Sequence, residues 1–245
     1  MWDKPEIMLW LADLLYALAA ILLLYTVLFV LIHLPLFPVR EIQVNGRLHH
    51  VTRQQVQYIV NRELVGNFFT LDLNRVRNGF EKLPWVSGVS IRRRWPDRLE
   101  VTLTEHVALA RWAEAGLVDT QGNHFDGATE QTLPVFYGPP GSAQAIAKRY
   151  QWFRRVLAPT HLMISAVVLS ARGAWELRFK NDLVAELGRD HVDQRALRLA
   201  DVYNATLAAL PTPARYVDLR YSNGFAVRMA PRPRSRLPGG VAAGG

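Results

Sequence analysis

The sequence predicts an α+β protein that is anchored in a membrane by one N-terminal helix. Three observations support this class. An apolar run occupies residues 14 to 32, a strand–helix–helix–strand–strand pattern follows it, and the remainder is rich in short strands. With 245 residues, of which 50% are hydrophobic, the chain is long enough for one or two folded domains and lacks the composition of a disordered protein.

The first element is the apolar run LLYALAAILLLYTVLFVLI, and no Lys, Arg, Asp or Glu occurs after Asp13 until Arg40. About 20 apolar residues cross the hydrocarbon core of a bilayer, and this run has no polar stripe. We therefore expect a transmembrane helix within residues 14 to 36, ended by the prolines that follow, after a short tail of residues 1 to 13 with Asp13 at the membrane boundary. A cleaved signal peptide is the alternative, but the run is too long for a signal h-region.

A first domain is expected at residues 37 to 106. The segment VREIQVNG reads as a strand that ends at an Asn-Gly turn. Thr52 and Gln55 have the spacing of a capping box, and Asp72 is placed to cap a second helix that runs to Phe80. The segments VSGVSIRRRW and LEVTLTEH then form a β-hairpin around Pro96.

The basic run IRRRWPDR lies in that hairpin. A phosphate-binding patch is one interpretation. The other is a strand whose arginines lie on its solvent side, since side chains alternate across a strand, with Glu100 and Glu105 close enough to pair with them. The alternation favours the second interpretation, or contact with another protein or with anionic lipid headgroups.

The second domain is expected at residues 107 to 231 and is mainly antiparallel. Short strands are predicted in VALARW, LVDTQGNHF and LPVFY, and three more in MISAVVLSA, AWELRFK and LVAELG. AQAIAKRYQWFRRVL is an amphipathic helix, and a second helix is expected from Val192 to Leu210 with Asp190 as its cap. The segments RYVDLRY and GFAVRM close the domain as a hairpin, and residues 232 to 245 form a disordered tail.

Catalysis is not indicated by any motif. The chain has 0 cysteines, which excludes thiolate metal sites, thiol nucleophiles and disulfides. It has no phosphate-binding glycine loop and no GxSxG turn, and its seven histidines do not have metal-ligand spacing. We therefore expect no enzyme, no cofactor and no metal. A net charge of +8 invites a nucleic-acid interpretation, but we find neither a recognition helix nor interleaved aromatic residues, so nucleic acid is not an expected partner.

The order of elements resembles the FtsQ/DivIB family of bacterial cell-division proteins. The residues that carry this resemblance are FPVREIQVNG, LPWVSGVSIRRRWPDRLEVTLTEHVALARW, NDLVAELGR and RYVDLRYSNGFAV. It implies that the first domain is a POTRA domain and that the chain is a non-catalytic divisome scaffold at the septum, linking early and late division proteins. It also implies a single-pass inner-membrane protein with a cytoplasmic N-terminus and periplasmic domains, whereas Lys and Arg counts alone weakly favour the opposite orientation.

The resemblance also implies partners. FtsB, which acts with FtsL, would add a strand to the last strand of the β-domain, and the POTRA domain would contact other divisome proteins, with FtsK a candidate. An unpaired edge and side-chain pockets at alternate positions are what such strand addition needs. The residues carried over to this contact are Arg220, Tyr221, Gly224, Phe225, Val227 and Met229, together with Arg172.

Two other readings compete with this one. A POTRA-containing component of outer-membrane assembly or transport would continue into a transmembrane barrel, and this chain stops too soon for that. A membrane-anchored nucleic-acid binder is motivated by the charge and would bind duplex DNA with steep salt dependence. Without the resemblance, Tyr221 and Phe225 would be read as core residues of the last hairpin.

Overall fold

The computed structural model of the chain describes residues 5–34, 37–113 and 115–230. The predicted tail at 232 to 245 lies outside these residues, as do the first four residues of the predicted N-terminal tail. Two compact units divide the chain, Met1–His106 and Val107–Gly245, and each is described by itself.

The N-terminal helix, α1, spans Pro5–His33 and begins earlier than the apolar run. Asp13 is therefore inside the helix and not at its end. Proline is tolerated in the first turn of a helix, where its missing N–H has no partner to lose, so Pro5 is compatible with this earlier start. The stretch Met8–His33 is the one part of the described chain that is long and apolar enough, as a helix, to cross a membrane.

The rest of the first unit has the predicted strand–helix–helix–strand–strand order. Its elements are β1 (Glu41–Asn45), α2 (Arg53–Glu63), α3 (Leu73–Glu81), β2 (Val86–Arg94) and β3 (Arg98–Glu105). The strands form one sheet in the order β1-β3-β2, with β1 parallel and β2 antiparallel to β3. The predicted capping box of Thr52 and Gln55 is confirmed, and so is the cap at Asp72.

The arginines of the run IRRRWPDR are exposed to solvent, as predicted, and Glu100 pairs with Arg94 at 3.0 Å. Glu105 does not pair with an arginine of that run. Its carboxylate accepts hydrogen bonds from the main-chain N–H groups of His49, His50 and Val51, at 3.0, 3.0 and 2.8 Å. Desolvation raises the pKa of Glu105, but these hydrogen bonds outweigh it and the net pKa is lowered. Glu105 therefore holds the turn between β1 and α2.

The second unit contains nine strands and two helices among the described residues. They are β4 (Ala108–Trp112), β5 (Leu117–Asp119), β6 (His124–Phe125), β7 (Val135–Tyr137), α4 (Ala143–Leu157), β8 (Ile164–Leu169), β9 (Trp175–Phe179), β10 (Val184–Gly188), α5 (Val192–Ala205), β11 (Ala214–Asp218) and β12 (Ala226–Met229). All the strands join one sheet in the order β12-β11-β10-β9-β8-β7-β4-β5-β6. Five of its pairings are antiparallel and three are parallel, namely β4 with β7, β7 with β8, and β10 with β11.

Helices α4 and α5 contact each other and cover the same face of this sheet. The predicted stripe of Ile146, Tyr150, Phe153 and Leu157 on α4 is buried in the core. Apolar residues of the strands complete the core, including the fully buried Leu177, Leu187 and Val217. The hydrophobic effect acting on this face packs the sheet against the helices, and the strands at its two ends, β12 and β6, are its edges.

The prediction for α5 is confirmed at its start, Val192, and is wrong for its end and for its cap. The helix stops at Ala205, and a separate turn of 3₁₀ helix follows at Leu207–Ala209. The residue before the helix is His191, which is left-handed (φ 53°) and makes no capping hydrogen bond with its side chain. This left-handed turn carries Asp190 away from the helix start, where its carboxylate lies 3.5 Å from Arg189.

Candidate partner-binding edge

The last strand, β12, forms one end of the sheet. It pairs with β11 in antiparallel register, Val217 facing Val227, and no described strand lies on its other side. The N–H of Ala230 donates to the carbonyl of Pro213 at 3.0 Å, on the β11 side. Because main-chain groups alternate in direction along a strand, the N–H groups of Val227 and Met229 point to the free side. Strand β12 thus offers donors and acceptors to another chain.

The side chains predicted for the contact separate into two groups. Tyr221 is 59% exposed and Met229 is 41% exposed, whereas Phe225 and Val227 are half-buried against the core. Strand β11 ends at Asp218, so the alternation of side chains along that strand does not extend to Tyr221. Of the two residues that a core interpretation would bury, Tyr221 is exposed and Phe225 packs at the margin of the core.

The loop between β11 and β12 is held by an ion pair two residues apart. Asp218 is buried, and its carboxylate accepts from the main-chain N–H of Arg220 at 3.0 Å, from its Nε at 2.9 Å and from its Nη2 at 2.7 Å. The hydrogen bonds from the Arg220 side chain hold the pKa of Asp218 below its ordinary value. The pKa of the Arg220 guanidinium is raised for the same reason. Arg220 is therefore held at its main-chain N–H and along one edge of its guanidinium, although its side chain is about half exposed.

Two arginines of α5 fasten the same loop from the helix side. Arg195 donates from Nη1 to the carbonyl of Leu187 at 2.6 Å and from Nη2 to that of Arg220 at 3.0 Å. Arg198 donates from Nη1 to the carbonyl of Tyr221 at 3.0 Å. Sequence reasoning missed both. Their spacing of three on a predicted helix places them on one face and was the available signal.

A row of carboxylates crosses the sheet beside this loop. Glu186 faces Glu176 on one neighbouring strand and Asp218 on the other. Burial raises the pKa of Glu186, and the nearby Glu176 raises it further, while Arg220 acts against both. The guanidinium of Arg220 thus lies close to acidic groups of its own domain. Only those of its N–H groups that do not donate to Asp218 can donate to a partner.

Arg172 belongs to the turn between β8 and β9 and is exposed. This turn lies at the same end of the sheet as the loop between β11 and β12, which contains Tyr221. The strand register shows this, since Gly188 is opposite Trp175, and Glu186 is opposite both Glu176 and Asp218. The sheet order puts three strand spacings between β9 and β12, which is roughly 14 Å. One extended partner could reach both places.

No group of three or more His, Asp or Glu side chains in the described parts of the chain is arranged to hold a metal ion. Asp119, at the start of the turn between β5 and β6, has a local role. Asp119 accepts from the main-chain N–H groups of Gln121 and Asn123, each at 2.8 Å, and so shapes the turn.

Comparison with known families matches most of the chain in two parts. Residues 37–106 match the model described as POTRA domain, FtsQ-type, and residues 110–220 match that described as cell division protein FtsQ/DivIB, C-terminal. The second match ends before β12.

Whole-length relatives give the same result. The chain is 40% identical over 233 residues to the cell division protein FtsQ of Nitrosospira multiformis, covering 93% of this chain and 99% of that protein. It is 38% identical to the FtsQ of Burkholderia pseudomallei, covering 94% and 95%. It is 34% identical to the FtsQ of Escherichia coli, covering 80% and 74%.

The class of protein follows from three features: an apolar N-terminal helix, a POTRA domain and a β-domain with an open last strand. They define a membrane-anchored POTRA protein, and its described residues contain no barrel. The matches then specify the family. The chain belongs to the FtsQ/DivIB family and is a cell division protein.

Proposed function

We propose that this protein is a non-catalytic scaffold of the divisome, linking early and late division proteins at the septum through the free edge of β12. Its N-terminus is cytoplasmic, its helix crosses the inner membrane once, and its POTRA domain (37 to 106) and β-domain (107 to 231) are periplasmic. FtsB, together with FtsL, supplies the strand that adds to β12. The POTRA domain contacts further divisome proteins, with FtsK a candidate.

The observation that carries this proposal is the open edge itself. Strand addition needs outward main-chain groups and adjacent side chains that give specificity, and β12 has both. Val227 and Met229 present main-chain groups, while Tyr221 and Arg220 stand beside the start of the strand on a loop that three charged side chains hold in place. An exposed tyrosine offers apolar area and a polar tip at small entropic cost.

The testing experiment measures binding of the full chain, in nanodiscs, to a purified FtsB–FtsL complex, with Tyr221→Ala as the variant. Tyr58→Ala is the matched control, because Tyr58 is also 59% exposed but lies on α2 in the other unit. We expect Tyr221→Ala to weaken binding about tenfold or more, as loss of an interface tyrosine commonly does, and Tyr58→Ala to leave it unchanged.

Each other outcome is informative about the site. Unchanged binding by Tyr221→Ala would mean that Tyr221 lies outside the contact. Absence of binding by the unsubstituted chain would reject FtsB–FtsL as the partner. Equal weakening by both variants would indicate a general effect on folding, which circular dichroism of the two variants would detect.

A further inference from the structure

One end of the POTRA domain is fastened to the segment that leaves the anchor helix. The main-chain N–H of Arg40 donates to the carbonyl of Asp97 at 2.9 Å, which places the β2–β3 turn beside the chain between α1 and β1. The N–H of Phe68 donates to the carbonyl of Phe37 at 2.8 Å, so the α2–α3 loop reaches the same segment.

The α2–α3 loop also binds the end of the anchor helix directly. Asn67 is 6% exposed, and its Nδ2 donates to the carbonyls of Ile32 at 2.6 Å and Leu34 at 3.1 Å. The last carbonyls of a helix have no partner within the helix, and Asn67 supplies one. This end of the domain therefore lies where the apolar helix ends.

The same end exposes large apolar side chains. Trp95 at the β2–β3 turn is 80% exposed, Val65 in the α2–α3 loop is 61% exposed, and Phe69 is 45% exposed. Phe37, in the segment that leaves the anchor, is 39% exposed and packs edge-to-face against Phe69 with ring centroids 5.2 Å apart. Exposure of this kind is costly in water unless something covers it.

Arginines surround these apolar residues. The carboxylates of Asp97, Glu100 and Glu41 pair with Arg40 at 3.9 Å, Arg94 at 3.0 Å and Arg98 at 3.0 Å. Two more arginines belong to the same strand end: Arg92 is exposed, and Arg93 donates to the carbonyl of Leu71 at 2.6 Å. Five arginines against three carboxylates leave a local charge of +2.

From this arrangement we infer that the end of the POTRA domain formed by Val65, Phe69, Trp95, Arg92 and Arg94, the membrane-proximal rim, docks on the anionic phospholipid surface from which the anchor emerges. Trp95 and Phe69 enter the headgroup region, where aromatic side chains concentrate. The arginines of the rim contact lipid phosphates, for which a guanidinium is well suited. This inference does not depend on the partner strand at β12 or on the orientation of the anchor.

The occupant is a bilayer and not a second protein because the anchor brings one to this place. The hydrogen bonds of Asn67 and Arg40 keep the rim within a few residues of the helix end, so the headgroups are its nearest neighbours. Docking would also fix the tilt of the POTRA domain relative to the bilayer.

The test uses the absence of cysteine from the chain. A single thiol is introduced by Trp95→Cys, by Val65→Cys or, as the matched control, by Ser87→Cys, and each carries an environment-sensitive fluorophore. Ser87 is exposed and lies on the same strand as Arg94, but roughly 23 Å away at the other end of β2. The labelled full chain is placed in nanodiscs of phosphatidylcholine with phosphatidylglycerol and with lipids that bear a quencher at headgroup depth.

We expect quenching at positions 95 and 65 to exceed that at 87 by about threefold or more, since interfacial aromatics reside at headgroup depth. Replacing both Arg92 and Arg94 by Gln, or using phosphatidylcholine alone, should reduce it. Equal quenching at 95, 65 and 87 in a chain with native circular dichroism would overturn the inference. So would shielding of position 95 that appears only when a division protein is added, since the rim would then be a protein contact.

Discussion

Arg195 of α5 donates from Nη2 to the main-chain carbonyl of Arg220 at 3.0 Å, and so joins the helix to the loop that precedes the edge strand. The same guanidinium binds the carbonyl of Leu187 at the end of β10. One side chain thus fixes two neighbouring strand ends. The loop that leads into β12 is therefore held by a residue that lies outside that strand.

Arg195→Gln should therefore weaken partner binding without replacing any residue of the free edge. The loss of two hydrogen bonds from a charged donor lets the Tyr221 loop move, and we expect affinity for the FtsB–FtsL complex to fall about tenfold. Arg155→Gln, at an exposed position of α4, is the matched control and should have no effect. If Arg195→Gln shifts the unfolding temperature of the domain but not the affinity, Arg195 supports the fold alone.

Asp218→Asn should destabilise the second unit at neutral pH, because the variant loses the charge that binds Arg220. The folded-state pKa of Asp218 is lowered, so its contribution is present above the ordinary aspartate pKa of about 3.9 and is lost as the pH falls through the folded value. We expect a decrease of the unfolding temperature by on the order of 3 °C at pH 7 that shrinks below about pH 4. A deficit that is independent of pH would point to packing.

Val227→Pro distinguishes main-chain pairing at the edge from contacts made by side chains. The N–H that proline removes points to the free side of β12, so the ladder to β11 stays complete, and edge strands tolerate proline in that orientation. We expect loss of strand addition with a folded domain, measured as loss of FtsB–FtsL binding with an unchanged circular dichroism spectrum. Val227→Thr keeps the N–H and should retain binding. Full binding by the proline variant would exclude main-chain pairing at this position.

Glu186→Gln should stabilise the second unit at neutral pH. The folded-state pKa of Glu186 is raised by burial and by Glu176, so its favourable contribution exists at low pH and is lost as the pH rises through the folded value. Removing the charge abolishes this loss of stability at neutral pH. We expect a gain of about 1 to 2 °C in unfolding temperature at pH 7 that disappears near pH 4. Glu130→Gln, at an exposed loop position, is the control. A loss of stability instead would show that the carboxylate has a favourable partner.

Glu105→Gln should destabilise the first unit. An amide oxygen accepts hydrogen bonds from the main-chain N–H groups of His49, His50 and Val51 less strongly than a carboxylate does, and we expect a loss of about 2 kcal/mol in the free energy of unfolding. Glu100→Gln on the same strand removes an ion pair with the exposed Arg94, while the amide oxygen can still accept from Asn45, and should cost about 0.5 kcal/mol or less. Denaturant titration followed by the tryptophan fluorescence of the chain would measure both, and equal losses would contradict the special role of Glu105.

The local elements were largely predictable from sequence because short-range chemistry fixes them. The capping box at Thr52, the cap at Asp72 and the stripe on α4 each depend on residues within one or two turns. The start of α5 at Val192 was predicted, but Asp190 was wrong as its cap, because the left-handed His191 stands between Asp190 and the helix.

The candidate site was predictable only in part. Pattern and resemblance indicated Arg220, Tyr221 and the strand after Gly224. The parallel pairing of β10 with β11, which brings Glu186 beside Asp218, joins residues far apart in sequence. The hydrogen bonds from Arg195 and Arg198 to the loop between β11 and β12 depend on that pairing. No local pattern encodes such distant contacts.

The two edges of the long sheet differ in length. Strand β6 consists of two residues, His124–Phe125, and offers little length for pairing, whereas β12 has four. If a strand adds to β12, as we propose, it fills the longer edge. A second copy of this chain could then pair at β12 only by displacing that strand.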